Sequence, residues 1–280
     1  YNKGIFIFQF HFQLSIFSRS KGNIMETLSV IDCAIASPSN DCLNRLIQRT
    51  RIPFTYHLPA ITGNDTYKED VNAKAIVVFG SHSSANDELP WQKEVVSFLL
   101  AKLEEGVPVF GLCFGHQLLA KAFGSKIGPS ETPPFSHKGI REWKVLREDK
   151  RWGFCEGARF NTIVYHKEEI KNLGQELIHL GSSNECHYDL ITHKSLPFLG
   201  IQGHPEASYH FVYQEMELKD KISKEDVEKA LQDGDIILDS FLESVGFFFD
   251  GFRQKYLGEF TQHRREIQDK YFLNNQDRVT

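Results

Sequence analysis

Two rhythms of apolar positions divide this chain. Between Leu28 and Cys113, short continuous apolar runs alternate with stretches of helical spacing. The runs are "LSVIDCAIA" (28–36), "PFTYHLPA" (53–60), "AKAIVVFGS" (73–81) and "VPVFGLC" (107–113). Continuous runs of this length suit strands buried on both faces. "SPSNDCLNRLIQRT" (37–50) offers capping residues and then an amphipathic helix with Leu43, Leu46 and Ile47 inward. A second helix is expected from Trp91 to about Glu105, ended by Gly106. The alternation predicts an α/β fold with a mostly parallel central sheet and helices on both faces.

From 126 to 200 the pattern shortens. "HKGIREWKVL" (137–146), "FNTIVYH" (160–166), "ELIHLGSS" (176–183) and "YDLITH" (188–193) are candidate strands, and "LPFLGIQGHPE" (196–206) is a further buried one. Beyond Ser208 the chain reads as helical. Ser223 and Asp226 resemble a capping box, and "FRQKYLGEFTQHRREIQDKYF" (252–272) suggests a charged helix. The expected organisation is an N-terminal extension over 1–24, a main domain over 25–208 and a C-terminal helical extension over 209–280 packed on it.

Composition narrows the function classes. A chain of 280 residues, 41% of them hydrophobic, is long enough for a substantial core. A formal net charge of −5 and the lack of a basic block argue against nucleic-acid binding. "GIFIFQFHFQLSIF" (4–17) is too short and too interrupted to span a membrane. It reads as a packing extension or as residues upstream of a start at Met25; without a charged segment before it, a secretory signal is the weaker reading. Five scattered cysteines with no CxxC pair fit neither a disulfide framework nor a zinc site, which favours a reducing, cytoplasmic setting and no metal.

Three stretches at predicted strand ends carry candidate chemistry. Cys113 lies between Gly111 and Gly115 in "GLCFG", where a strand turns into a helix. Such a turn exposes a nucleophile and aims helix N–H groups at a developing oxyanion. Taken alone, the pentapeptide fits a buried structural thiol equally well. Next, "GIQGHPE" (200–206) places His204 two residues before Glu206, so an extended segment would let the carboxylate orient the imidazole as a base. The third is Gly80-Ser81, where one backbone N–H, with that of Phe114, would make a two-donor oxyanion hole.

Together "VVFGSHSSANDELPW" (77–91), "PVFGLCFGHQLLAKAFGSKI" (108–127), the "YH" at 165–166 and "FLGIQGHPEAS" (198–208) resemble the class I, triad-type glutamine amidotransferase family, over roughly residues 28–208. The similarity is greatest to stand-alone amidotransferase domains of the GMP synthase type. It implies a flavodoxin-like sheet, Cys113 as nucleophile, His204 as base and Glu206 as the acid that orients it. Gly80, Ser81 and Phe114 then supply the oxyanion-hole backbone. Gln117, His166 and Lys167 fall at substrate-binding positions.

The implied reaction is hydrolysis of a γ-glutamyl amide, glutamine first, through a γ-glutamyl thioester and without a cofactor. Three departures bear on specificity. Ser81 stands where many members carry glycine, which a negative φ would tolerate. Gly203 replaces a common aromatic, which would leave the pocket wall more open. No glycine follows His166. With no synthase domain after Ser208, either a separate ammonia-acceptor subunit exists or the chain is a stand-alone hydrolase. A γ-glutamyl peptidase and a non-catalytic binding protein of the same fold remain as alternatives. The α/β-hydrolase elbow is disfavoured, because there the acid precedes the histidine.

Overall fold

The structure, a computed structural model, describes residues 26–49, 53–63, 66–131 and 137–247. The expected N-terminal extension and the helix expected over 252–272 lie outside the described residues. The strands are β1 (Thr27–Ile31), β2 (Phe54–His57), β3 (Ala73–Val78), β4 (Val109–Leu112), β5 (Lys126–Pro129), β6 (His137–Val145), β7 (Arg159–His166), β8 (Glu168–Asn172), β9 (Leu177–Ser182), β10 (Leu190–His193) and β11 (Phe198–Ile201). The helices are α1 (Asn40–Arg49), α2 (Pro59–Thr62), α3 (Pro90–Glu104), α4 (Phe114–Ala122) and α5 (Lys224–Ser244).

The main sheet has nine strands in the order β2-β1-β3-β4-β11-β10-β9-β6-β7, and β5 pairs with β8 separately. It corrects the expectation of a mostly parallel, flavodoxin-like sheet. The ladders from β2 to β11 are parallel, whereas those joining β11, β10, β9, β6 and β7 are antiparallel. The antiparallel half also curls: Ile163 of β7 bridges back to His204, just beyond β11, with His204 N–H donating to the Ile163 carbonyl at 2.7 Å. The sheet is therefore mixed, and this half closes into a partial barrel.

Connection length and patterning explain the difference. Only residues 194–197 separate β10 from β11, far too few for the crossover that a parallel pair needs. Along β6 buried and exposed positions alternate, with Arg141, Trp143 and Val145 inward, as suits a sheet with one wet face. The apolar runs of residues 28–112 do not represent the second half of the chain.

Period-two alternation divides the core between the two sheet faces. Leu28, Val30, Ala75, Val77, Phe110 and Leu112 pack with Leu43 and Leu46 of α1 and with Ile237, Leu238 and Phe241 of α5. Ile31, Ile76, Val78 and Val109 pack with Val95, Leu99 and Leu103 of α3 and with Leu118 and Leu119 of α4. α5 starts where the capping pattern lies: the Ser223 hydroxyl accepts the Asp226 N–H at 3.0 Å. None of the described helices is long and apolar enough to cross a membrane.

α4 lies unusually close to the strands below it. A Cβ on Gly115 would sit 2.6 Å from the Val78 carbonyl oxygen and 2.9 Å from the Val78 Cβ. Alanine would gain about 1 kcal/mol in helix propensity, but this overlap is with strand backbone that cannot yield. Gly115→Ala is therefore expected to lower unfolding stability by about 2 kcal/mol, read from urea denaturation.

Candidate active site

Cys113 joins β4 to α4 with φ of 49° and ψ of −99°, a conformation that costs a non-glycine residue roughly 1–3 kcal/mol. The surroundings hold it there. Its N–H donates to the Ile201 carbonyl of β11 at 2.9 Å, and its carbonyl receives the Gln117 N–H. The strained turn starts α4, whose first N–H groups have no partner inside the helix. The thiol is 5% exposed and lies between two cavities that meet at Cys113, Ser81, His82 and Tyr165.

His204 and Glu206 come together across a turn, not along an extended strand. The Ala207 N–H returns to the His204 carbonyl at 3.2 Å, and His204 Nδ1 donates to Glu206 Oε1 at 2.8 Å. That bond leaves Nε2 available to Cys113, the second side-chain hydrogen-bond partner of this imidazole. Burial would lower the His204 pKa, but Cys113 and Glu206 outweigh it and hold the imidazole well above its ordinary value. Gly80 borders the same ring: a Cβ there would lie 2.9 Å from His204 Cε1. The chain thus brings Cys113, His204, Glu206 and Gly80 into one cluster.

The first cavity, about 670 Å3, is lined by Ser81, Phe114, Gln117, His166 and Lys167, so five of the substrate-side and oxyanion-hole candidates share it. Ser81 is not among the described residues of positive φ. A bond from Ser84 Oγ to Glu168 Oε2 at 2.6 Å spans the loop after β3 and β8. Gln117 Nε2 donates to the Glu168 carbonyl at 2.6 Å. His166 is closed to further partners. Its Nδ1 donates to the Glu168 carbonyl at 3.0 Å, and its Nε2 accepts from Arg141 at 2.8 Å. Burial, then the Arg141 charge, push its pKa down to about 2.

The second cavity, about 430 Å3, contains His204 and Glu206 and is walled by residues 34–42. That loop is held from beneath by Asp32, which accepts the Ala34 N–H at 2.9 Å and the Ser39 N–H at 2.7 Å. Gly203 does not open either wall. It packs against β7, where a Cβ would meet Thr162 Oγ1 at 2.6 Å, so the close strand excludes the larger side chain.

Several residues at this site escape sequence reasoning. Gln202 donates from Nε2 to Cys113 Sγ at 3.7 Å. Its position two before His204 was the available signal, because alternate positions share a face. His82 borders both cavities with its ring edge-on to Tyr165. Arg141, paired with Asp189 in the interior, supports His166; nothing in its local sequence marks it. His116 lies outside the site, buried on α4 beside Gly200, with burial lowering its pKa to about 3.

The family model "Glutamine amidotransferase class-I" matches residues 30–217, more than half of the chain. The chain belongs to the class I glutamine amidotransferase family. The expectation of a cysteine-dependent amidotransferase enzyme is met at that level. A subunit of the glutamine-hydrolyzing GMP synthase of Methanothermobacter thermautotrophicus is 34% identical over 110 residues, 39% of this chain and 56% of that one. The corresponding subunit of Methanococcus aeolicus is 27% identical over 167 residues, 60% and 82% of the two chains. The match to the first thus spans about half of that relative's length. Among solved structures, a glutamine amidotransferase from Thermotoga maritima aligns with a TM-score of 0.62 at 16% identity, over 80% of this chain and all of that one. One from Methylobacillus flagellatus gives 0.56 at 19%, over 80% and 92%. At these identities the two structures speak to the fold.

A pH dependence follows from the buried imidazoles. His166 and His116 have folded pKa values below their ordinary 6.5, so the fold favours their neutral forms. The stability this provides is present above about pH 6.5 and is lost as pH falls towards the folded values. Each group should remove about 1.4 kcal/mol per pH unit in that window. Urea denaturation between pH 7 and pH 4 should show a falling stability whose slope becomes shallower in His166→Gln.

Proposed function

We propose that this amidotransferase hydrolyses the γ-carboxamide of glutamine through a thioester on Cys113. The observation that carries the reading is the strained thiol facing a buried His204–Glu206 pair where two cavities meet. In the first step His204 takes the thiol proton and the sulfur adds to the amide carbon. The carbonyl oxygen becomes an oxyanion facing the N–H groups of Ser81 and Phe114. Collapse breaks the C–N bond, and protonated His204 gives its proton to the leaving nitrogen, releasing ammonia. His204 then deprotonates a water that attacks the thioester. Glutamate leaves and the thiol is restored. Glu206 keeps Nδ1 as donor throughout, so Nε2 does the proton transfer.

The glutamyl group is assigned to the first cavity, where Gln117 and Lys167 stand. His166 acts there as a neutral wall, since both of its ring nitrogens are occupied. The curated relatives are subunits of glutamine-hydrolyzing GMP synthases, which supports delivery of the ammonia to a separate synthase subunit.

A second reading rests on the other cavity. His204, which protonates the leaving nitrogen, borders this space of about 430 Å3 and does not border the first. A small molecule such as water or ammonia needs only about 30 Å3. The room supports a γ-glutamyl amide of a larger amine, a γ-glutamyl peptide, as substrate.

Cys113→Ala should reduce ammonia release from glutamine by at least about a thousandfold with the fold intact by circular dichroism. Undiminished turnover by that variant would remove the proposal. Rates of the unaltered protein on glutamine and on a γ-glutamyl dipeptide, side by side, decide between the two readings; faster dipeptide cleavage supports the second.

A further inference from the structure

We infer that Gln202 is a hydrogen-bond donor to the Cys113 thiolate and holds the nucleophile in its reactive form from the side not served by His204. This rests on the reading of Cys113 as nucleophile. Gln202 is fully buried directly after β11, and its Nε2 lies 3.7 Å from Sγ.

Neighbouring bonds dictate which end of the side-chain amide faces the sulfur. Gln117 makes its 2.6 Å contact with the Glu168 carbonyl, which can only accept, so the contacting atom of Gln117 must be its NH2 group. The same NH2 group lies 3.1 Å from Gln202, so the Gln202 atom facing it must be the oxygen. Turning the Gln202 amide over would set NH2 against NH2. Its own NH2 therefore points to the thiol.

A further neighbour of the sulfur opposes its negative form. The Tyr165 carbonyl lies 3.8 Å from Sγ and can receive the S–H of the neutral thiol. Once the proton has gone to His204, that carbonyl dipole faces a negative sulfur. Gln202 offsets it with an N–H from the fully buried side of the sulfur, where a charge-assisted bond is strong. Gln117 also lines the substrate cavity, so the same two amides connect the glutamyl pocket to the nucleophile.

The test is the pH dependence of Cys113 alkylation by iodoacetamide on the full chain, followed by mass spectrometry of the Cys113 peptide. Gln202→Met keeps length and volume but removes the donor. Gln202→Glu keeps the shape and replaces the donor with an acceptor. Tyr165, His82, Lys167, Glu168, His204 and Glu206, and with them Asp41, His166, His210 and Glu215, are ionisable groups that line the two cavities and are the same in every protein compared. The alkylation midpoint should rise by about one pH unit in Gln202→Met and further in Gln202→Glu. Turnover of glutamine at neutral pH should fall about tenfold, with KM within about twofold. A midpoint in folded Gln202→Met within about 0.2 units of the unaltered protein overturns the inference, since a one-unit shift is what a lost bond of this kind produces.

If neither variant folds, the side-chain amide resonances of Gln202 in 15N-labelled unaltered protein decide. They should shift with the midpoint of the thiol, and amide signals indifferent to that titration reject the donor. Alkylation reads the thiol whether or not glutamine is the substrate. Failure of the proposed reaction is thus separable from failure of this inference.

Discussion

The backbone hydrogen bond from His204 to Ile163 is the constraint on which the site depends. It joins the end of β11 to β7, the far strand of the main sheet, and so requires the antiparallel half to curl. The curl aims the imidazole at a thiol delivered by β4, the parallel neighbour of β11. Gly203 is the device that permits it, because any side chain there would strike Thr162. The parallel half supplies Cys113, and the closed half supplies Tyr165 and His166 to the wall of the first cavity. Neither half contains a complete site.

Burying so many polar groups beside the thiol carries a desolvation cost, which bonds among them offset in part. Arg141 bonds Asp189 and His166; His166 and Gln117 share the Glu168 carbonyl; Gln117 bonds Gln202. Each member has its orientation set by the next, which makes the network rigid where an apolar wall would be adaptable. Rigidity of this kind matters around Cys113, whose backbone is strained and would relax if its supports were soft.

The parts of the molecule legible in the sequence are those with local causes. β1, β3, β4, α1, α3 and α4 follow from apolar period, and the elbow follows from glycines two residues either side of Cys113, whereas α2 begins at Pro59 inside the strand expected over 53–60. The Ser223 cap is similarly local. The antiparallel pairing of the curled half is not legible in the sequence, because pairing direction depends on which strands meet, and short strands such as Leu190–His193 carry little sign of their partners. Gly203 illustrates the same limit. From the sequence it looked like an absent pocket wall, whereas the reason for it is a strand some forty residues earlier in the chain. Gln202 was in view within "GIQGHPE", but its worth lies in a contact with a residue 89 positions away.

The bridge at His204 also has a temporal consequence. Cys113, β4 and α4 are made early in synthesis and can pack with β1 and β3 through nearby segments. His204 follows β11, which is made after β6, β7, β9 and β10 and must pair with β4 across about ninety residues, a non-local contact of the slow kind. A nascent or partly folded chain therefore carries this cysteine without His204 beside it. Because the thiol meets His204 only when β11 lies against β4 and its end bridges to β7, the surroundings of Cys113 report that both halves of the sheet have closed.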